Sequence, residues 1–165
     1  MATAKQSPEF TLEVRRTFAA PREKVFSAWA QREKLEQWMC KDESSHTVIH
    51  HLQDIRTGGR YLMEVRDLGK GETYWGQGVY RLVKPPEKIV FSWSWTKDTQ
   101  DGPQLHPDSP QAEVTVEFFV LGNSTEVVLT HAVFGSAKDR DDHKQAWNGC
   151  LDLLAKVLHT TSTPN

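Results

Sequence analysis

The sequence predicts an α+β domain, and three observations carry that expectation. One strand-like segment opens the chain, six more follow in a nearly unbroken run joined by turn signals, and a long amphipathic helix closes it. Consecutive strands linked by turns pair antiparallel, because parallel neighbours need long crossover connections. The apolar stripe of the last helix must then be buried against the sheet.

Taken in order, FTLEVRRTF alternates Phe10, Leu12 and Val14 with polar neighbours, the period of a half-buried strand. In AAPREKVFSAW, Pro21 is expected at the first helical position, where its fixed φ and missing N–H are tolerated. Val25, Phe26 and Trp29 recur at helical spacing after it. A second short helix is expected from Arg32 to Trp38, with Leu35 and Trp38 facing inward. Neither helix is long enough to stand alone, so both must dock.

TVIHHLQDI and RYLMEV read as strands separated by Gly58-Gly59. LGKGET turns the chain into YWGQGVYRLV, where Gly76 and Gly78 mark a bend or a close approach, and Pro85-Pro86 stops that strand. KIVFSWSW places Phe91, Trp93 and Trp95 at alternate positions and therefore on one face. The following TKDTQDGPQLHPDSPQ runs sixteen residues with three prolines and no periodicity, a length that points to a functional rim or flap. AEVTVEFFVL and TEVVLTHAVF are joined through Gly122-Asn123, a hairpin signal.

Ser136 is the expected N-cap of the last helix, and Asp139, Asp141 and Asp142 crowd its first turns, where the helix dipole favours negative charge. His143, Trp147, Cys150, Leu154 and Val157 form its stripe, widened by Leu151 and Leu158. A long helix laid on a curved sheet buries the two ends of such a stripe more readily than its middle. The middle is therefore where a cavity is expected.

The bulk properties narrow the function. With 165 residues the chain has room for one domain, expected over residues 10–159, with residues 1–9 and 160–165 as disordered tails. The 20 basic and 22 acidic residues are interspersed and leave a net charge of −2, so no basic stripe argues for nucleic acid. No apolar leader and no membrane-length apolar run is present, which favours a cytoplasmic protein without a membrane span. Cys40 and Cys150 lie far apart without CxxC spacing and read as two unpaired thiols. No GxSxG or P-loop occurs, so no cofactor is expected.

Six tryptophans are many for this length, and large aromatics ordinarily fill a core. Some are also candidates for a pocket wall, because an indole offers apolar area plus one N–H donor. Trp147 on the helix and Trp93 or Trp95 on the facing strand lead that group. Tyr61, Met63, Trp75, Tyr80 and Phe118 follow, with Trp29, Trp38, Phe91 and Leu151 completing the cavity candidates.

The histidines His46, His50 and His51 do not form a metal site if TVIHHL is a strand. Four residues then separate His46 from His50 by roughly 13 Å, and His50 and His51 point to opposite faces. His131 ends a strand and reads either as a hydrogen-bonded histidine at a sheet edge or as an acid or base at a cavity mouth, with Glu117 as partner if the register allows. His143 in the first helical turns is expected to cap or pack. No catalytic set is assigned.

APREKVFSAW, GGRYLMEV, GQGVYRLVKPPEKIVFSWSW, VTVEFFV, STEVVLTH and WNGCLDLLAKVL, in that order, resemble the SRPBCC superfamily, the START-like or helix-grip proteins that include birch-allergen-like folds. The resemblance spans residues 10 to 158 and is nearest to homologues of the heat-shock-protein-90 ATPase activator. It implies a seven-stranded antiparallel sheet gripping the last helix around a deep apolar cavity. Members bind lipids, polyketides, hormones or other hydrophobic small molecules, and some catalyse cyclisation in the cavity.

The expected function is thus the binding of a hydrophobic or amphipathic small molecule without covalent chemistry. The alternatives are a cyclase- or hydrolase-like enzyme using His131, or a co-chaperone-like interaction protein. The eukaryotic activators carry a separate N-terminal domain for which this chain has no room, which disfavours a chaperone partner without removing it. Homodimerisation stays open.

Overall fold

In the computed structural model, the residues described are 10–39, 46–97, 112–133 and 136–161. The elements are β1 (Phe10–Phe18), α1 (Arg22–Ala30), α2 (Arg32–Leu35), β2 (His46–Gln53), β3 (Arg60–Asp67), β4 (Glu72–Lys84), β5 (Lys88–Lys97), β6 (Ala112–Leu121), β7 (Ser124–Val133) and α3 (Ala137–Thr161). The strands form one seven-stranded sheet in the order β1-β7-β6-β5-β4-β3-β2, with every neighbouring pair antiparallel. This is the helix-grip arrangement. Strands β2 to β7 follow one another as neighbours, while β1 closes against β7 at the far edge.

Alternation sends one face of every strand inward. Leu12 and Val14 of β1, Tyr61 and Met63 of β3, Phe91 and Trp93 of β5, and Val114, Val116 and Phe118 of β6 are all buried on that face. They meet Val25, Phe26 and Trp29 of α1 and Trp147, Leu151, Leu154 and Leu158 of α3 in one continuous core. At about 25 cal/mol per Å² of apolar area, this shared core is what holds two short helices that could not persist alone. Polar contacts fix α3 on β1: the Arg16 guanidinium donates to Asp152 at 2.8 Å and to Asn148 at 3.1 Å.

The local signals act largely as expected. Pro21 precedes the first helix by one residue, because its ψ of 154° is extended and makes it the N-cap rather than the first helical position. Regular α2 stops at Leu35, and the chain continues in turns that still bury Trp38 completely. Gly122 adopts φ 59° in the β6–β7 turn, a conformation that favours glycine. The Asp139 N–H donates to Ser136 Oγ at 3.1 Å, the expected cap of α3. Cys40 and most of the proline-rich connection, residues 98–111, lie outside the described residues. Among the described residues no helix is long and apolar enough to cross a membrane.

Candidate functional site

A chain of aromatic rings crosses the interior. Trp38 packs edge-on to Trp29 at 4.6 Å, Trp29 stacks on Trp147 at 6.1 Å, and Trp147 meets Trp93 edge-on at 5.6 Å. Trp93 continues through Phe91 and Tyr61 to Tyr80, with centroid separations of 5.9, 5.9 and 5.5 Å along that path. Such pairs add about 0.5–1.5 kcal/mol each beyond their buried area. They therefore define where α1, α3 and β5 sit relative to one another.

Two spaces among the described residues border this chain. Between the α1–α2 side and the sheet, a gap of about 10 Å³ is walled by Trp29, Leu35, Met39, Tyr61, Met63, Tyr80 and Phe91, among others. That is no more than a single water occupies. On the other side of the Trp93–Trp147 contact lies a cavity of about 240 Å³, lined by Trp93 of β5, His131 of β7, and Asp142, His143, Ala146, Trp147 and Cys150 of α3. Its wall is almost wholly apolar. Asp142 is the exposed acidic member of the set.

The cavity lies under residues 142–150 of α3, from the N-terminal half of the helix to its middle. Leu151, Leu154 and Leu158 carry large branched side chains that fill the space below the rest of the helix, whereas Ala146 and Cys150 are small and leave it open.

His131 is the polar centre of the site. The Trp147 Nε1–H donates to its Nδ1 at 3.0 Å. The ring is 1% exposed and lies edge-on to His143 at 5.3 Å. Its Nε2 has no hydrogen-bond partner among the described residues. Burial, reinforced by the neighbouring His143, pushes the imidazole down to about 3, so it is neutral at physiological pH.

The expectation of a sheet-edge histidine is corrected here: β7 lies between β1 and β6, and His131 is opposite Leu12 and Val114. Glu117 is not its partner. It pairs with Lys88 and Val128 and points away from the face that carries Val116 and Phe118.

Of the remaining candidates, Trp93 and Trp147 line the cavity beside His131. Trp29, Tyr61, Met63, Tyr80 and Phe91 border the small gap of about 10 Å³, and Trp38, Phe118 and Leu151 are core side chains at 0%, 1% and 0% exposure. Trp75 lies on the outer face of the sheet, half-buried against His51 at 5.2 Å, because an odd number of positions separates it from inward-facing Tyr80. The Trp95 backbone pairs with Gly76, and its side chain lies outside the described residues.

The two adjacent histidines diverge, His50 toward Gln53 at 3.1 Å and His51 toward Glu64 at 2.9 Å. Among the described residues no three His, Cys, Asp or Glu side chains gather in a metal-binding group. The cavity residues not foreseen are Asp142, His143, Ala146 and Cys150. His143 and Cys150 stand in the same helical stripe as Trp147, and that periodicity was the available signal.

The family model described as Activator of Hsp90 ATPase homolog 1-like protein matches residues 19–159. Similar solved structures include the AHSA1 protein from Silicibacter pomeroyi, with a TM-score of 0.76 at 24% identity over 92% of this chain and 99% of that one. A crystal structure from Chromobacterium violaceum gives 0.75 at 21% identity over 90% and 96%. A solution structure from Staphylococcus epidermidis gives 0.76 at 22% identity over 100% and 98%. At these identities the likeness concerns the fold. No curated protein matches.

Proposed function

Because the chain belongs to the Activator of Hsp90 ATPase homolog 1-like family, whose helix-grip fold leaves space between sheet and helix, we propose that it binds a hydrophobic or amphipathic small molecule there. The observation that carries this reading is the apolar cavity of about 240 Å³ at the Trp93–Trp147 contact. A guest burying on the order of 200 Å² of apolar surface gains about 5 kcal/mol before ordering costs, enough for weak binding without a charged anchor.

The size bounds the guest. Ligand pockets commonly span about 300–1,000 Å³, so this one suits a small ring system or a short acyl segment better than a whole lipid. The Asp142 carboxylate and the half-buried His143 leave room for a polar substituent at the open side.

Acid–base catalysis by His131 has less support than binding. Its Nδ1 is occupied by the Trp147 N–H, and its lowered pKa makes it a poor base near neutrality. The direct test is mass spectrometry of small molecules released from natively purified protein, together with quenching of tryptophan fluorescence by naphthalene. Protein that is empty and also indifferent to naphthalene overturns the binding reading.

A further inference from the structure

An indole N–H only donates, so the imidazole nitrogen that receives it from Trp147 at 3.0 Å must carry a lone pair. That nitrogen is Nδ1 of His131. A neutral imidazole has one protonated nitrogen, and here the proton must reside on Nε2. Burial keeps the ring neutral, and the Nε2–H is enclosed without a hydrogen-bond partner among the described residues. A buried donor left unmet disfavours the empty state and rewards whatever brings an acceptor to it.

His131 itself lines the cavity although its Nε2 is covered in the empty state, so a guest that supplies the acceptor must displace the side chains over that nitrogen. A cavity of roughly 150 Å³ admits benzene. One of about 240 Å³ has room for two fused rings. Trp93 and Trp147, edge-on to one another at 5.6 Å, give such rings both a face and an edge to pack on.

Resting on the binding reading above, we propose that the cavity selects flat one- or two-ring guests that present a hydrogen-bond acceptor to His131 Nε2–H, and that Trp147 enforces this choice by fixing the tautomer. Trp147 is then a specificity-determining residue as well as a wall. A guest with a donor in the same place meets a second donor and is rejected. Removing the Trp147 N–H frees the ring to exchange tautomers and to accept.

The test compares three bicyclic probes of similar shape: naphthalene with neither group, isoquinoline with an acceptor, and indole with a donor. Binding is followed by NMR on the full chain at mildly alkaline pH, where isoquinoline is uncharged. Isoquinoline is expected to bind roughly five- to thirtyfold more tightly than naphthalene, and indole no more tightly than naphthalene. Long-range nitrogen–proton spectra of the wild type are expected to show His131 protonated at Nε2, with that signal moving when isoquinoline binds. In Trp147→Phe the isoquinoline-over-indole preference is expected to collapse toward unity.

Equal binding of isoquinoline and naphthalene, or a His131 proton on Nδ1, overturns the inference while leaving the binding reading intact. Failure of all three probes to bind overturns the inference, and if natively purified protein is also empty it overturns the binding reading with it. The wild-type spectra and probe ranking decide the matter even if the Trp147 variant does not fold.

Discussion

The Tyr61 hydroxyl donates to the Ser92 backbone carbonyl at 2.5 Å, reaching from β3 past Gly78 of β4 to β5. Gly78 is directly opposite Tyr61, and a Cβ there would fall 2.0 Å from the Ser92 oxygen and 2.8 Å from the Tyr61 ring. The first of these is backbone and cannot step aside without parting β4 from β5. Gly78→Ala is expected to cost about 2–3 kcal/mol in urea denaturation, whereas Tyr61→Phe, which removes only the hydrogen bond, costs about 1 kcal/mol. Equal small losses would show that the two strands separate freely here.

Much of this fold was legible because each strand announces itself by alternation and each turn by its glycine or proline. The Phe91–Trp93 face could be assigned to the interior once the stripe of α3 demanded an apolar partner. The outward turn of Trp75 could not, since the sequence shows that Trp75 and Tyr80 lie on opposite faces but not which face meets the core. The interior position of His131 rests on β1 pairing with β7, a contact between opposite ends of the chain that no local pattern encodes. Nor does periodicity report side-chain volume: Ala146 and Cys150 share the helix with Leu151 and Leu154, yet only the first pair leaves space.

His131 makes stability depend on pH. The unfolded chain takes up a proton at the ordinary histidine value near 6.5, but the folded ring resists until about 3. Between these values the unfolded state binds more protons, so stability is fully present above about pH 6.5 and falls as the pH is lowered, by up to about 1.4 kcal/mol per unit from this one group. Burial lowers His50 in the same sense. His131→Phe is therefore expected to flatten the dependence measured by urea denaturation between about pH 4 and pH 7 without abolishing it. An unchanged slope would mean that His131 is not buried in neutral form.

The cap of α3 holds the turn that supplies part of the cavity. Ser136 Oγ accepts from the Asp139 N–H, and the next turn carries Asp142 and His143. Ser136→Ala is expected to cost about 1 kcal/mol and to raise amide hydrogen exchange selectively over the first two turns of the helix. Uniform exchange along α3 would indicate that the cap contributes to global stability alone.

Ala146 and Leu151 separate occupancy of the cavity from packing of the core. Ala146 lines the open side of the cavity and is itself exposed, so a larger side chain there fills space without displacing core residues. Ala146→Trp is expected to weaken naphthalene binding about tenfold or more, while the thermal midpoint moves by no more than about 4 °C, the shift that roughly 1 kcal/mol produces in a domain of this size. Leu151 is fully buried and does not line the cavity. Leu151→Ala is expected to cost about 2–5 kcal/mol through the hole it leaves, with the naphthalene affinity of the folded fraction little changed. If Ala146→Trp binds naphthalene as tightly as the wild type does, the guest lies elsewhere and the space beneath the N-terminal half of α3 is only a packing defect.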